Sequence, residues 1–295
     1  MGALLTALTT PPWPPSGTSI RAFVLVNESA GSVGKGAREA LLSIVAEVGA
    51  EVIAVREDVS DLAACRREAF KADVIIVLGG DGTARAAAEA FSAGPPLILL
   101  PGGTLNILPH ALYGERSWQD ALRGALKGGR VVRLVGGKAN GKKFFVAGLF
   151  GPPTLLARAR ESVRKGHFLE AIRRFNHAFR RMFSRQIAVH AEGSAAARVE
   201  GVGVLCPAYV GEIQDSALEW VQLDVTRVSE FIRVGLRSVI GGWRDDDTIA
   251  LSRARRGEIR SRGVIPAVLD GEPATFISRV KIEILRNGPR VIALD

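Results

Sequence analysis

Two short stretches of the chain combine paired glycines with polar side chains, and each follows a run of apolar residues. The first reads Gly79-Gly80-Asp81-Gly82-Thr83 and the second Gly102-Gly103-Thr104-Leu105-Asn106. Because glycine has no Cβ and tolerates positive φ, such loops bring backbone N–H groups close to an anion. A helix that begins at Ala84 adds the positive end of its dipole. The pattern predicts two phosphate-binding loops, with two ordinary tight turns as the alternative.

Asp81 departs from what a simple phosphate-binding loop contains. A carboxylate among phosphate-binding donors is expected mainly where it meets a metal ion or a reacting hydroxyl group. We therefore predict that Asp81 contacts a metal ion or the group that accepts a phosphoryl group.

The residues around the two loops predict a parallel sheet. Val74–Leu78 and Leu97–Leu100 are short apolar runs bounded by turn residues, which suits strands that are buried on both faces. Further elements alternate along this part of the chain: strands at 21–26 and 51–55, and helices at 35–48, at 61–70 with Ser60 as the cap, and at 118–127 after Ser117. This alternation predicts βαβ units, with both glycine loops at the carboxyl edge of the sheet.

The pattern changes to antiparallel structure near residue 133. Asn140-Gly141 is a strong two-residue hairpin signal between strands at 131–138 and 143–149. Short strands are predicted at 186–192, 198–205, 218–225, 249–253, 258–261 and 264–269, with a helix at 229–240 and a last alternating segment at 280–294.

Residues 154–185 show a helical pattern with an apolar stripe and many arginines. One interpretation is a basic amphipathic surface for anionic lipid headgroups. The other interpretation is two core helices with solvated arginines. The two interpretations are compatible.

The composition limits the classes of function. A net charge of +9 and a pI near 10.1 indicate an anionic partner: a nucleotide, a nucleic acid or a membrane surface. Aromatic residues make up 6% and offer no stacking platform, so a nucleic acid is not expected. Cys65 and Cys206 are the only cysteines, which indicates a reducing compartment. No apolar run approaches the roughly 20 residues that a transmembrane helix needs.

The GGDGT and PGGTLN loops resemble the catalytic domain of the diacylglycerol kinase family, which includes bacterial lipid kinases and sphingosine kinases. NAD kinases and phosphofructokinases share the GGDG device. The resemblance implies an α/β fold: a parallel-sheet, Rossmann-like domain of the NAD kinase and phosphofructokinase type, then a β-rich antiparallel domain. We expect a flexible tail at 1–19, a nucleotide-binding domain at 20–133, a lipid- and substrate-binding domain at 134–284, and a segment at 285–295 that returns to the first domain.

The resemblance also implies which residues bind the nucleotide. Asn27 stands where family members carry an Asn-Pro-x-Ala-Gly-like segment, with Glu28 in place of the proline. The residues expected at the nucleotide are Asn27, Gly79, Gly80, Asp81, Gly82, Thr83, Gly103, Thr104 and Asn106.

Asp270-Gly271-Glu272-Pro273 is the third motif. An Asp-Gly turn between strands is common without any function. The resemblance, however, implies that Glu272 is the general base that deprotonates the acceptor hydroxyl, with Asp270 beside it and Asp81 ordering Mg²⁺ and substrate.

The chain departs from the family pattern at three further places. Arg85-Ala86 replaces an Asn-Glu pair after the first loop, and Arg133 replaces an aspartate. A loop that holds a structural Mg²⁺ in family members is reduced here to residues 214–219, where Asp215 and Glu219 are the candidate ligands.

These features predict a lipid kinase that uses ATP and Mg²⁺ and phosphorylates diacylglycerol, a related glycerolipid or a sphingoid base. An NAD kinase-like enzyme for a soluble metabolite, and a catalytically weakened nucleotide- or lipid-binding protein, are the alternatives. The resemblance implies a cytoplasmic protein without a transmembrane segment that meets its lipid substrate at the inner face of a membrane, and leaves a homodimer open.

Overall fold

The computed structural model describes residues 13–14, 19–57, 59–103, 106–151, 154, 186–207, 217–223 and 251–294. The chain divides into two compact units. Met1–Arg133 and Pro289–Asp295 form the first unit, and Leu134–Gly288 forms the second.

The described residues of the first unit form a six-stranded sheet and five helices. Its strands are β1 Arg21–Val26, β2 Glu51–Arg56, β3 Val74–Gly79, β4 Leu97–Pro101, β5 Arg130–Arg133 and, from the end of the chain, β16 Arg290–Ala293. Its helices are α1 Ala37–Glu47, α2 Arg66–Ala69, α3 Asp81–Ala90, α4 Ile107–Tyr113 and α5 Trp118–Gly128.

The strand order in this sheet is β2-β1-β3-β4-β16-β5. β1 to β4 run parallel, while β16 pairs parallel with β4 and antiparallel with β5. Every residue of β3 and β4 is buried, which explains why both read as continuous apolar runs. The two glycine loops therefore leave neighbouring central strands at the same edge of the sheet.

Two helical predictions in this unit need correction, and one helix was missed. The helix expected at 61–70 is limited to α2, because the Asp61 carboxylate accepts the N–H groups of Ala63 and Ala64, both at 3.1 Å, and holds a turn there. α3 begins at Asp81 rather than at Ala84. The short α4 was not predicted.

The prediction of one strand at 131–138 is also wrong. This stretch contains parts of two strands, which belong to different sheets. β5 pairs with β16, whereas β6 Gly136–Ala139 belongs to the second unit. The partner of β5 lies at the far end of the chain, so a local pattern gives no sign of the break.

The second unit is an antiparallel sheet. After β6 its strands are β7 Lys142–Phe144, β8 Ala147–Phe150, β9 Ile187–Ala191, β10 Ala197–Val199, β11 Gly201–Leu205, β12 Leu218–Leu223, β13 Leu251–Ala254, β14 Arg256–Leu269 and β15 Glu272–Leu285. Their order is β13-β12-β11-β8-β14-β15-β6-β7, with β9 joining β14 to β10. The predicted fold class, a mostly parallel sheet followed by an antiparallel sheet, is confirmed.

Two hairpins of this unit have turns that their sequences predict. Asn140-Gly141 joins β6 to β7, and Asp270-Gly271 joins β14 to β15, with φ positive at all four residues. Such two-residue turns match the twist of antiparallel strands. The separate strands expected at 258–261 and 264–269 are parts of the single strand β14, which carries a bulge between them.

The core of the second unit is built from the inward faces of these strands. Phe144, Phe150 and Trp220 are almost fully buried there. Gly257 makes room for the Trp220 ring, since a Cβ at Gly257 would lie 2.5 Å from the ring carbon Cη2. The helices expected at 154–185, apart from Thr154, and at 229–240 fall outside the described residues. Among the described helices, none combines the length and apolar character needed to cross a membrane.

Candidate functional site

The two glycine loops of the first unit contact each other directly. Gly79 and Pro101 are paired at the ends of β3 and β4, and the N–H of Gly102 donates to the Gly79 carbonyl at 2.9 Å. A Cβ at Gly103 would lie 2.8 Å from the Cα of Gly80. The loops pack backbone against backbone, so a side chain at Gly103 has no room unless the loops move apart.

Asp81 joins the two loops through its carboxylate. Its Oδ2 accepts the N–H of Asn106 at 2.9 Å, and its Oδ1 accepts the N–H of Ile107 at 2.8 Å. These donors lie at the start of α4, where a helix leaves N–H groups without an internal partner. Burial raises the pKa of Asp81, while the hydrogen bonds from the backbone N–H groups oppose that shift. Asp81 therefore caps α4 from the first residue of α3.

Asn106 closes the second loop on itself. Its side-chain oxygen accepts the N–H of Gly103 at 2.6 Å, and its Nδ2 donates to the Gly103 carbonyl at 2.8 Å. Asn106 also adopts a left-handed backbone conformation with φ of 49°, which asparagine tolerates better than most residues. The side chain thus fixes the loop on which Gly103 and Asn106 were predicted to bind a nucleotide.

The loop after β1 completes the same edge of the sheet. Asn27 Nδ2 donates to Thr83 Oγ1 at 2.9 Å, and Asn27 Oδ1 accepts the N–H of Ser29 at 3.1 Å. Thr83 is only 8% exposed, so its hydroxyl serves the packing of this loop on α3. Ser32 Oγ donates to the Gly103 carbonyl at 2.9 Å. Sequence reasoning missed Ser32, because a serine in a loop carries no signal of this contact.

The start of α3 is the part of this site that suits an anion. Gly80 is the residue before the helix, and the backbone N–H groups of its first turn have no partner within the helix. A helix dipole places partial positive charge at this end. Gly80 and Gly82 carry no side chain that blocks an approach. The arrangement fits phosphate oxygens.

The structure thus brings together most of the predicted nucleotide-binding residues at one sheet edge: Asn27, Gly79, Gly80, Asp81, Gly82, Thr83, Gly103 and Asn106. Thr104 lies outside the described residues. The two hydrogen bonds that Asp81 accepts from Asn106 and Ile107 are structural. Its carboxylate oxygens keep further lone pairs for a cation or a hydroxyl group.

In the second unit, Asp270 is held by the turn between β7 and β8. Its Oδ2 accepts the N–H of Phe145 at 2.7 Å, and its Oδ1 accepts those of Val146 and Ala147, both at 2.9 Å. Glu272 is two residues further on, is exposed, and opens β15 opposite Leu269. The Asp270 carboxylate therefore anchors the turn from which Glu272 projects.

The predicted metal ligands receive no support as a pair. Glu219 is a half-buried residue of β12, opposite Leu205 on one side and Arg253 on the other, and Asp215 lies outside the described residues. Within the part of the chain that the structure describes, no group of three or more His, Cys, Asp and Glu side chains is arranged to hold a metal ion.

Comparison with known proteins agrees with this geometry. Residues 21–135 match the family model of the diacylglycerol kinase catalytic domain. The resemblance seen in the two glycine loops is confirmed over this stretch, which runs from β1 to just beyond β5. This stretch therefore resembles a kinase catalytic domain, and it contains both glycine loops. No curated protein matches the chain significantly.

Solved structures extend the likeness in fold to both units. A diacylglycerol kinase from Bacillus anthracis str. Sterne is similar with a TM-score of 0.67 at 21% sequence identity, over 93% of this chain and 97% of that chain. An NAD kinase from Archaeoglobus fulgidus, solved in complex with ATP, gives a TM-score of 0.54 at 14% identity, over 92% and 93% of the two chains. The fold is therefore the one that these two kinds of kinase share.

Proposed function

We propose that this protein is a lipid kinase that transfers the γ-phosphoryl group of ATP to the hydroxyl group of diacylglycerol, a related glycerolipid or a sphingoid base. The observation that carries the proposal is the direct contact of two glycine loops from neighbouring strands, tied together by the Asp81 carboxylate. Phosphoryl transfer is catalysed mainly by positioning and by neutralising charge. A rigid cradle of N–H donors is what such a reaction requires of a protein.

ATP fits the cradle through its phosphates. The start of α3 has N–H groups beside Gly80 and Gly82, which carry no side chain, and the two loops pack closely where Gly80 meets Gly103. Asn27 and Asn106 hold the neighbouring loops in place through their side-chain amides. These residues bind and orient the nucleotide, and none needs to react.

Mg²⁺ fits as a partner of the nucleotide rather than as a resident ion. Asp81 is a single carboxylate already engaged by two N–H groups, and Mg²⁺ in kinases takes most of its ligands from phosphates and water. When bound, the ion neutralises charge on the phosphates. Asp81 would contact the ion while the nucleotide phosphates bind it.

Glu272 is the proposed general base. Its carboxylate is exposed at the first residue of β15, and the turn before it is fixed by three hydrogen bonds to Asp270. A carboxylate held on a rigid turn can accept the proton of an incoming alcohol as the phosphoryl group arrives. In this proposal Asp270 positions the base and does not itself react.

The test is a transfer assay with labelled ATP and separate acceptors. Purified protein is incubated with ATP and with diacylglycerol in mixed micelles, with sphingosine in the same micelles, or with NAD in solution. The proposal expects label in the lipid fraction. Label in NAD alone would establish the soluble-metabolite activity instead, and no transfer to any acceptor would support a binding protein.

Two substitutions test the assigned roles. Glu272→Gln removes a base while preserving size, so we expect transfer to fall by roughly 10²- to 10⁴-fold with nucleotide affinity unchanged. Glu283→Gln, the same change at an exposed residue of the same strand, is the matched control and should leave transfer unchanged. Full activity in Glu272→Gln would show that Glu272 is not the general base. The proposed nucleotide site would still stand.

A further inference from the structure

The outward face of the β14–β15 hairpin exposes two apolar side chains side by side. Val264 is 58% exposed and Ile277 is 78% exposed, and the two are direct cross-strand partners. Among the described residues, the only other exposed large hydrophobic side chain is Phe70, which is 36% exposed and has the Arg66 guanidinium over its ring. Single exposed apolar residues are ordinary, but a pair on one strand ladder forms a patch.

A bulge in the hairpin sets the position of this pair. The register runs from Arg260 opposite Arg279 to Val264 opposite Ile277, so three residues of β14 face one residue of β15. That one residue, Ser278, has φ of 59°. Bulges change the direction of side chains. This one keeps the Arg260–Arg279 pair and the Val264–Ile277 pair on the same outer face.

The inner face of the same hairpin is fully apolar. Ile259, Ile265, Phe276 and Val280 are buried there. Val264 and Ile277 are therefore not part of this core, which the inner face of the hairpin builds without them.

Arginines flank the apolar pair on one side along the hairpin. Arg260 and Arg279 are exposed and both pair with Glu258, so two positive charges share one carboxylate. Arg262 lies on the bulge itself and is exposed, and no hydrogen bond or ion pair joins it to another described residue. We name Arg260, Arg262, Val264, Ile277 and Arg279 the hairpin patch. It is apolar at one end and positive at the other.

This combination fits an anionic lipid bilayer. Apolar side chains gain by entering the boundary between headgroups and acyl chains, and arginines beside them gain by meeting acidic headgroups. Long basic side chains can extend toward the headgroups while their stems cover apolar surface. A second copy of the chain fits less well, because each patch carries three arginines and only Glu258 to offset them, so two patches in contact would bring like charges together.

We propose that the hairpin patch is a docking surface for membranes that contain acidic phospholipids. Ile277 and Val264 enter the interface, and Arg260, Arg262 and Arg279 contact the headgroups. The proposal is independent of the catalytic assignments, since it concerns binding and not transfer. It deepens the proposed function only by indicating how the protein would reach a lipid acceptor.

The test is cosedimentation of the full chain with vesicles, without ATP. Vesicles of phosphatidylglycerol and phosphatidylcholine are compared with vesicles of phosphatidylcholine alone. We expect binding to the anionic vesicles that weakens as salt is added. Ile277→Ser should weaken it roughly tenfold and Arg262→Gln roughly fivefold. Arg67→Gln removes a charge from an exposed position in the first unit and serves as the control that leaves binding unchanged.

A second variant tests the same contact without removing apolar surface. Ile277→Trp should bind anionic vesicles at least as tightly as the wild type, with a blue shift of indole fluorescence, because tryptophan favours the membrane interface. Circular dichroism of each variant confirms that it is folded.

Three outcomes would overturn the proposal. They are unchanged vesicle binding in both Ile277→Ser and Arg262→Gln, equal binding of the wild type to neutral vesicles, or loss of a dimer in Ile277→Ser with vesicle binding intact. The last would assign the patch to contact between two copies. A protein that binds vesicles but transfers no phosphoryl group contradicts the proposed function alone.

Discussion

The carboxylate of Asp81 accepts the backbone N–H of Ile107 at 2.8 Å, so the first residue of one helix caps the first residue of the next. The motif position of Asp81 suggests chemistry, and its contacts show that it also builds the site. The two roles are separable, because a structural acceptor affects stability whether or not a nucleotide is present.

Substitutions at Asp81 should destabilise the protein in a defined order. Asp81→Ala leaves the N–H groups of Asn106 and Ile107 without this acceptor, which costs about 2–4 kcal/mol of unfolding free energy. Asp81→Asn keeps one acceptor oxygen and should cost roughly half as much. Urea denaturation without ligand measures both. Wild-type stability in the two variants would mean that Asp81 serves chemistry alone.

The sequence predicted much of the first unit because its signals are local. Val74–Leu78 and Leu97–Leu100 are buried on both faces and so are apolar throughout, and they were placed within a residue of β3 and β4. Glycine pairs at their ends mark the loops. Local patterns identify strands and turns that neighbouring residues determine.

What the sequence did not predict depends on distant contacts. α4 has few periodic residues, and its start is stabilised by Asp81, more than twenty residues earlier. The sequence gives no sign of the role of Asp270 either. Its carboxylate accepts the backbone N–H groups of Phe145, Val146 and Ala147, more than a hundred residues earlier. Composition cannot reveal a hydrogen bond to a backbone far away in the chain.

Gly103→Ala tests the contact between the glycine loops. The new Cβ would lie 2.8 Å from the Cα of Gly80 and 3.2 Å from the Asn106 side-chain oxygen. Because the nearer neighbour is backbone, the loops must move apart, and we expect nucleotide affinity to fall about tenfold or more, equal to about 1.4 kcal/mol. Isothermal titration with ATP measures it.

Gly128→Ala is the matched control for this substitution. A Cβ at Gly128 meets nothing within 4 Å, and the residue is the last of α5, where alanine favours the helix. We expect unchanged nucleotide affinity and equal or slightly greater stability. Equal affinity in Gly103→Ala and Gly128→Ala would show that the close contact does not shape the nucleotide site.

Asp270→Asn should act on stability before it acts on catalysis. Asparagine tolerates the left-handed backbone at this position, where φ is 48°. The change therefore isolates the loss of one of the two carboxylate oxygens, which together accept the N–H groups of Phe145, Val146 and Ala147. We expect a loss of about 1–3 kcal/mol in unfolding free energy. Thermal or urea denaturation measures it. A stable Asp270→Asn protein without kinase activity would instead make Asp270 a participant in the reaction.

Glu258 should make the stability of the protein depend on pH in the acid range. Hydrogen bonds from Arg279 and then Arg260 lower the pKa of Glu258 from 4.5 to about 2. A lowered pKa means that the folded protein holds the carboxylate charged, so its stabilising effect is present above pH 4.5 and is lost as the pH falls from 4.5 to about 2.

Urea denaturation of the wild type and of Glu258→Gln across this range gives the measurement. The wild type should be the more stable protein above pH 4.5, and the difference should shrink as the pH approaches 2. Because the ion pairs are near the surface, salt should reduce the difference at every pH. Arg279→Gln removes the larger cause and should raise the pKa of Glu258 toward 4.5 in an NMR titration of the carboxyl group. A difference between wild type and Glu258→Gln that stays constant from pH 6 to pH 2 would show that Glu258 is not held charged by these arginines.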